Sequence, residues 1–97
     1  MKLLVGIDVS SEKLDTCFLD SEDQILLEES LSNTISGASK IKEYILQFND
    51  SNLYNRIIIG MEATSVYSFH PSTFLAEDRE LKALNVEVVV MNPKAIH

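Results

Sequence analysis

The stretch Lys2-Leu3-Leu4-Val5-Gly6-Ile7-Asp8-Val9 (residues 2–9) is rich in β-formers and carries an acid close to its C-terminal end. A second stretch repeats the pattern: Arg56-Ile57-Ile58-Ile59-Gly60-Met61-Glu62 (residues 56–62) is the most apolar run of the chain and also closes on an acid. In both, a glycine stands two residues before the carboxylate. Side chains alternate across a strand, so each glycine shares a sheet face with its acid. It leaves that face unobstructed where a bulky residue would crowd a ligand or a covering helix. If the two strands are parallel neighbours, about 4.8 Å apart, their C-terminal ends bring Asp8 and Glu62 together. Two carboxylates that close repel unless one is protonated or a cation lies between them. Mg²⁺ (or Mn²⁺) suits such an oxygen-rich site. Two such ions roughly 3.5–4 Å apart can activate a water or hydroxyl and stabilise the leaving oxygen in phosphodiester displacement. Two carboxylates hold two ions poorly, so further ligands are needed. An acid at a strand end is ordinarily just solvated; the shared glycine spacing and the apolar strands set these two apart.

Outward from the first strand, Lys13 to Asp20 alternates moderately, and Gln24 to Leu31 is a third apolar stretch after the polar turn Ser21-Glu22-Asp23. Connections this short favour antiparallel hairpins. The period then changes. Ser36 is placed to cap a helix in which Ala38, Ile41, Ile45 and Phe48 recur at helical spacing, ending near Asn49-Asp50-Ser51-Asn52. The apolar run after it reads as a strand covered on both faces. A helical stretch is expected from about Ser65 to Leu84, restarted at Pro71, and Val86 to Met91 is a strand stopped by Asn92-Pro93. The order is β-β-β-α-β-α-β, an α/β fold with a mixed sheet: three antiparallel strands, then parallel strands with crossover helices. Residues 1–97 read as one domain, with no internal repeat, linker or low-complexity segment.

The composition, 45% hydrophobic with three Gly and two Pro, supplies one core and argues against disorder. The net charge of −7 counts against an autonomous nucleic-acid binder, because affinity for phosphate comes mainly from Lys and Arg. The eight basic residues are scattered, so any phosphate-binding surface has to come from metal ions, a partner or further sequence. Cys17 is the only cysteine; it excludes an intramolecular disulfide, suits a reducing cytosol and reads as a small core hydrophobe. No apolar run approaches the roughly 20 residues of a membrane span, and the short apolar opening before Asp8 does not read as a signal peptide. The expectation is a soluble, cytoplasmic protein with no membrane partner.

Val5-Gly6-Ile7-Asp8-Val9-Ser10, followed by Lys13-Leu14-Asp15, resembles the opening of the DEDD transposases of bacterial insertion sequences, a group that includes Piv-type DNA invertases. Gly60-Met61-Glu62-Ala63-Thr64 with Val66-Tyr67 resembles that family's second motif, and Val88-Val89-Val90-Met91-Asn92-Pro93 resembles the strand and turn that follow. The three matches lie in the right order across nearly the whole chain. The resemblance implies a RuvC-like variant of the ribonuclease H fold. It also implies a Mg²⁺ or Mn²⁺ site of one Asp, one Glu and two further Asp. Asp8 and Glu62 match the first two, as metal ligands and catalytic residues. The other two are implied to lie in an Asp-x-x-Asp segment shortly after the Asn-Pro turn. Residues 1–97 are therefore expected to be the N-terminal portion of a longer protein and inactive alone. DNA transposition or recombination is implied as the activity, with DNA as partner, a guide RNA in some members, homo-oligomers, and a C-terminal domain carrying a serine for strand exchange. Two departures stand out: Ser65 where the family commonly has Gly, and an acidic Glu77-Asp78-Arg79-Glu80 insert.

Other residues carry weaker signals. Asp15 reads as a hairpin surface acid before it reads as a support for the metal site. Thr64 is placed to cap the following helix, Tyr67 could reach a nucleic-acid backbone or stack on a base, and Lys94 could touch phosphate. His70 and His97 have no metal-ligand spacing. An actin-like ATPase or sugar kinase shares this topology but places a phosphate-cradling turn after the first acid. Val9-Ser10-Ser11-Glu12 has no glycine there, and Glu12 would repel phosphate. A non-catalytic interaction module, with both acids structural, is the other alternative.

Overall fold

Strand β1 (Lys2–Val9) alternates position by position: Leu3, Val5, Ile7 and Val9 are buried, while Leu4, Gly6 and Asp8 face the other side. The computed structural model describes residues 1–52, 54–63 and 71–91. β2 (Lys13–Asp20) and β3 (Ile25–Ser32) follow as antiparallel hairpins. The first reversal is closed by Ser10, whose amide donates to the Lys13 carbonyl at 3.0 Å while its Oγ accepts from the Lys13 amide at 3.2 Å. In the second, Asp20 Oδ1 accepts from the amides of Glu22 and Gln24, and Asp23 takes a left-handed conformation. Helix α1 (Ile35–Asn52) crosses to β4 (Arg56–Ala63), parallel to β1, and α2 (Pro71–Glu77) and α3 (Arg79–Ala83) lead to β5 (Glu87–Met91), parallel to β4. The sheet order is β3-β2-β1-β4-β5, the mixed α/β architecture expected from the sequence.

The core lies on one face of this sheet. Leu3, Val5, Phe18, Ile57 and Ile59 from the strands meet Ile41 and Ile45 of α1, Leu75 of α2 and Leu81 of α3. Phe18 sits at its centre, its ring 5.7 Å edge-on from Tyr44 and 5.6 Å from Phe48. Tyr44 Oη in turn donates to the Glu29 carboxylate, and Thr16 Oγ1 donates to the Glu29 carbonyl at 2.6 Å, satisfying a buried hydroxyl.

Several local expectations are corrected. Thr34, not Ser36, begins α1: its Oγ1 accepts from the Gly37 amide at 3.3 Å and its carbonyl from Ala38 at 3.0 Å. As expected, α1 ends within the Asn49-to-Asn52 cluster, which forms its last turn. The second helical region is split at Asp78, whose side chain caps α3; residues 65–70, in the earlier part of that expected helix, lie outside the described residues. α3 ends at Ala83, and the left-handed Asn85 two residues on lets the Val86 amide donate back to the Leu81 carbonyl at 3.2 Å. Cys17 is half-buried on the face opposite the core, because it shares its parity with Asp15 and Leu19. β4 is covered on one face: Ile57, Ile59 and Met61 are buried, while Glu62 is exposed on the other side.

Candidate metal centre

The register of the sheet places the two predicted acids side by side. β1 and β4 pair with Gly6 opposite Gly60 and Asp8 opposite Glu62, so each acid has the other as its cross-strand neighbour on one face. Parallel neighbours lie about 4.8 Å apart. The row continues in both directions: Asp15 of β2 lies opposite Asp8, and Met91 of β5 opposite Glu62. The row behind it runs Cys17, Gly6, Gly60, Val89. A shallow open depression of about 480 Å³ joins the two rows, bounded by Gly6, Asp8, Asp15, Gly60, Glu62 and Met91.

Asp8 and Glu62 are both exposed. Among the described residues neither carboxylate is held by an ion pair: the ion pairs there are Lys42 with Asp78 and Glu80, and Arg56 with Glu87. Arg56 shares the face of Glu62 but is engaged three strand rows away, with Nε and Nη2 on the two Glu87 oxygens at 3.0 and 3.2 Å. Its guanidinium holds the Glu87 carboxyl below the usual glutamate range through that hydrogen bond. Among the described residues no Lys or Arg is ion-paired with the acid row. In kind, its hard carboxylate oxygens fit Mg²⁺ or Mn²⁺. In number they are incomplete, because no cluster of three or more His, Cys, Asp or Glu capable of holding a metal forms among the described residues.

Sequence reasoning found Asp8, Glu62 and their glycines. Asp15, read there first as a hairpin surface acid, is exposed and stands in the same row through the Asp8–Asp15 register. Met91 was read only as the end of a strand. Tyr67, Lys94 and Thr64 lie outside the described residues. Among those described, no helix is long and apolar enough to cross a membrane.

Residues 5–97 match the family model of the IS110-type DEDD transposases, described as a transposase. No curated protein's sequence matches the chain. Among solved structures, the fold is similar to that of Thermus thermophilus RuvC in complex with a Holliday junction substrate, with a TM-score of 0.50 and 12% identity. That similarity covers 97% of this chain but 66% of the RuvC chain, so the 97 residues span less than two thirds of its length. A Cytophaga hutchinsonii chain provisionally described as a sugar kinase gives a TM-score of 0.49 at 15% identity, covering 93% of this chain and 36% of that one. An Aquifex aeolicus Ppx/GppA phosphatase gives 0.44 at 17% identity, covering 96% and 36%. The expected ribonuclease H-like fold of the RuvC type is thereby shown.

Proposed function

This chain belongs to the DEDD transposase family, and on that footing we propose that it carries half of a divalent-metal site that breaks and rejoins DNA phosphodiester bonds. Asp8 and Glu62 are the ligands and catalytic residues; the carrying observation is their register pairing on an open sheet face. Asp15, next in the row, orients the Asp8 side of the site through water or repulsion. Mg²⁺ or Mn²⁺ held there would activate a water or hydroxyl and neutralise charge on the leaving oxygen. The two acids would hold the ion on the open face beside the glycine pair. Residues 1–97 act as a partial RuvC-like catalytic domain whose remaining carboxylates come from outside them. DNA as the substrate is supported by the family and by the junction bound to the similar RuvC. Contacts from Tyr67 and Lys94, a guide RNA, a homo-oligomer and a cytoplasmic location complete the reading. The β1–β2 turn disfavours a kinase: it holds no glycine, Glu12 would repel phosphate, and the Ser10 and Lys13 amides are engaged within the turn.

Two measurements test this. Titration with Mn²⁺ should broaden the NMR signals of Asp8 and Glu62 before any others, and uniform or absent broadening in the full gene product removes the site. Asp8→Asn should abolish DNA cleavage by the full gene product, a loss of at least about a hundredfold, while its unfolding midpoint stays within experimental error. A variant that still cleaves takes Asp8 out of the mechanism.

A further inference from the structure

Asn33 stands between β3 and α1 and belongs to neither. Its backbone amide donates to the Glu12 carbonyl at 2.9 Å, and its side-chain Nδ2 donates to the Ser10 carbonyl at 2.8 Å. Both acceptors lie in the turn that follows β1, and Ser10 is two residues beyond Asp8. That turn already closes on itself through Ser10 and Lys13. The Asn33 bonds do something further: they tie the turn to the root of α1. The root is firm. The first turn of α1 lies so close to the Ser32 peptide that a Cβ on Gly37 would come within 1.8 Å of the Ser32 oxygen. Ser32 and Thr34 join their hydroxyls at 2.8 Å on either side of Asn33, and Thr34 Oγ1 accepts from the Gly37 amide at 3.3 Å.

Stability does not account for the Asn33 side chain. Its Oδ1 is buried and accepts from no donor among the described residues. A buried acceptor left without a donor costs as much as one new hydrogen bond contributes, or more. Alanine would remove the gain and the cost together. A polar group kept at such a cost is characteristic of places where geometry serves function. The geometry in question is that of Asp8. The β1 ladder ends one residue past it, where Val9 pairs with Leu14 and Ala63. Strand ends open more readily than strand centres, whereas the ligands of an ion have to stay within about 0.5 Å of their working positions. We propose that Asn33 is a positioning residue of the candidate metal centre. By fastening Ser10 and Glu12 to the start of α1, it fixes the end of β1 and so the place of Asp8 beside Glu62. This rests on the reading of Asp8 and Glu62 as ligands of a divalent ion. Asn33 acts through the backbone of the turn, not on the ion.

The test compares Asn33→Ala with Thr34→Ala in the full gene product, with Mn²⁺ as the probe. Thr34→Ala takes away the cap of α1 and leaves both bonds from Asn33 to the turn. In Asn33→Ala the Mn²⁺ concentration that half-broadens the NMR signals of Asp8 and Glu62 should rise about tenfold, the low end for groups that orient a metal ligand. Its urea midpoint should match the wild type. DNA cleavage should be slow at limiting Mn²⁺ and recover to within about twofold at saturation, as when binding alone is weakened. Thr34→Ala should lower the urea midpoint and leave the Mn²⁺ dependence of both readouts unchanged. If the wild type binds Mn²⁺ at the two acids and Asn33→Ala binds it equally well, the proposal is overturned and the metal site stands. A wild type without localised broadening removes the metal site and this inference with it. An Asn33→Ala protein that does not fold assigns the side chain to stability and overturns the proposal, as does an equal loss of Mn²⁺ affinity in Thr34→Ala.

Discussion

Three glycines in this chain illustrate how differently one residue type can be used. Gly37 is dictated locally: a Cβ there would sit 1.8 Å from the Ser32 carbonyl oxygen and 2.9 Å from its carbon, both backbone atoms that cannot step aside. Thr34 brings the chain into this tight approach by joining Ser32 through their hydroxyls at 2.8 Å and capping α1 on the Gly37 amide. Gly37→Ala should therefore destabilise the protein by about 2–3 kcal/mol in urea unfolding, at the upper end of overpacking effects. Gly60→Ala should behave oppositely in the 97-residue chain, changing stability by no more than about 0.5 kcal/mol, because its Cβ enters open space. Equal losses at both positions would refute this contrast. The spacing of Gly6 and Gly60 from their acids was readable in the sequence; the role of Gly37 was not, since nothing in Ser36-Gly37-Ala38 announces contact with a residue five positions earlier.

At the level of elements, α3 is too short to hold itself and depends on one residue before it. Five residues form it, and Asp78 Oδ1 accepts from the amides of Glu80 and Leu81 at 3.0 and 3.2 Å. The second oxygen pairs with Lys42 Nζ at 2.9 Å, and Glu80 joins the same ammonium at 3.0 Å, tying α3 to α1. Burial pushes the Asp78 carboxyl up, but the Lys42 hydrogen bond and the backbone amides together bring it below the usual aspartate value. A depressed carboxylate contributes stability that is fully present above its unfolded value, near 3.8, and is lost as pH falls through the lower folded one. The Lys42 ammonium is raised by the same partners, so its share is complete below 10.5 and fades as pH rises through its folded value. Asp78→Ala should cost about 1–2 kcal/mol at neutral pH, the range of a lost cap, and Asp78→Asn less because it still caps. Urea midpoints of wild type and Asp78→Asn, compared from about pH 7 to about pH 3, should converge in acid. The gap staying constant would show that the ion pair does not act as described. This cap escaped sequence reading because Glu77-Asp78-Arg79-Glu80 looks like a charged helical surface, and only the position of Lys42 on another helix distinguishes it.

Across the whole molecule the sheet divides labour between its faces. One is a filled core centred on Phe18, where Phe18→Ala should cost about 3–5 kcal/mol by thermal or urea unfolding and leave the Mn²⁺ binding proposed at Asp8 and Glu62 intact in whatever fraction stays folded. Selective loss of metal binding at full folding would contradict that separation. The other face carries the acids, the glycine pair and a mixture of exposed apolar and charged side chains. Alternation in residues 2–9 and 13–20, helical spacing in α1 and short connections by themselves determined the strand order in sequence and the α/β class. Those follow from local periodicity, which a chain carries wherever it folds. Only the tertiary structure decided that Asp15 lines up with Asp8, that Cys17 faces away from the core, and that all described helices share one side. Each depends on register and on which face the crossovers choose, and both are set by contacts between residues far apart in sequence.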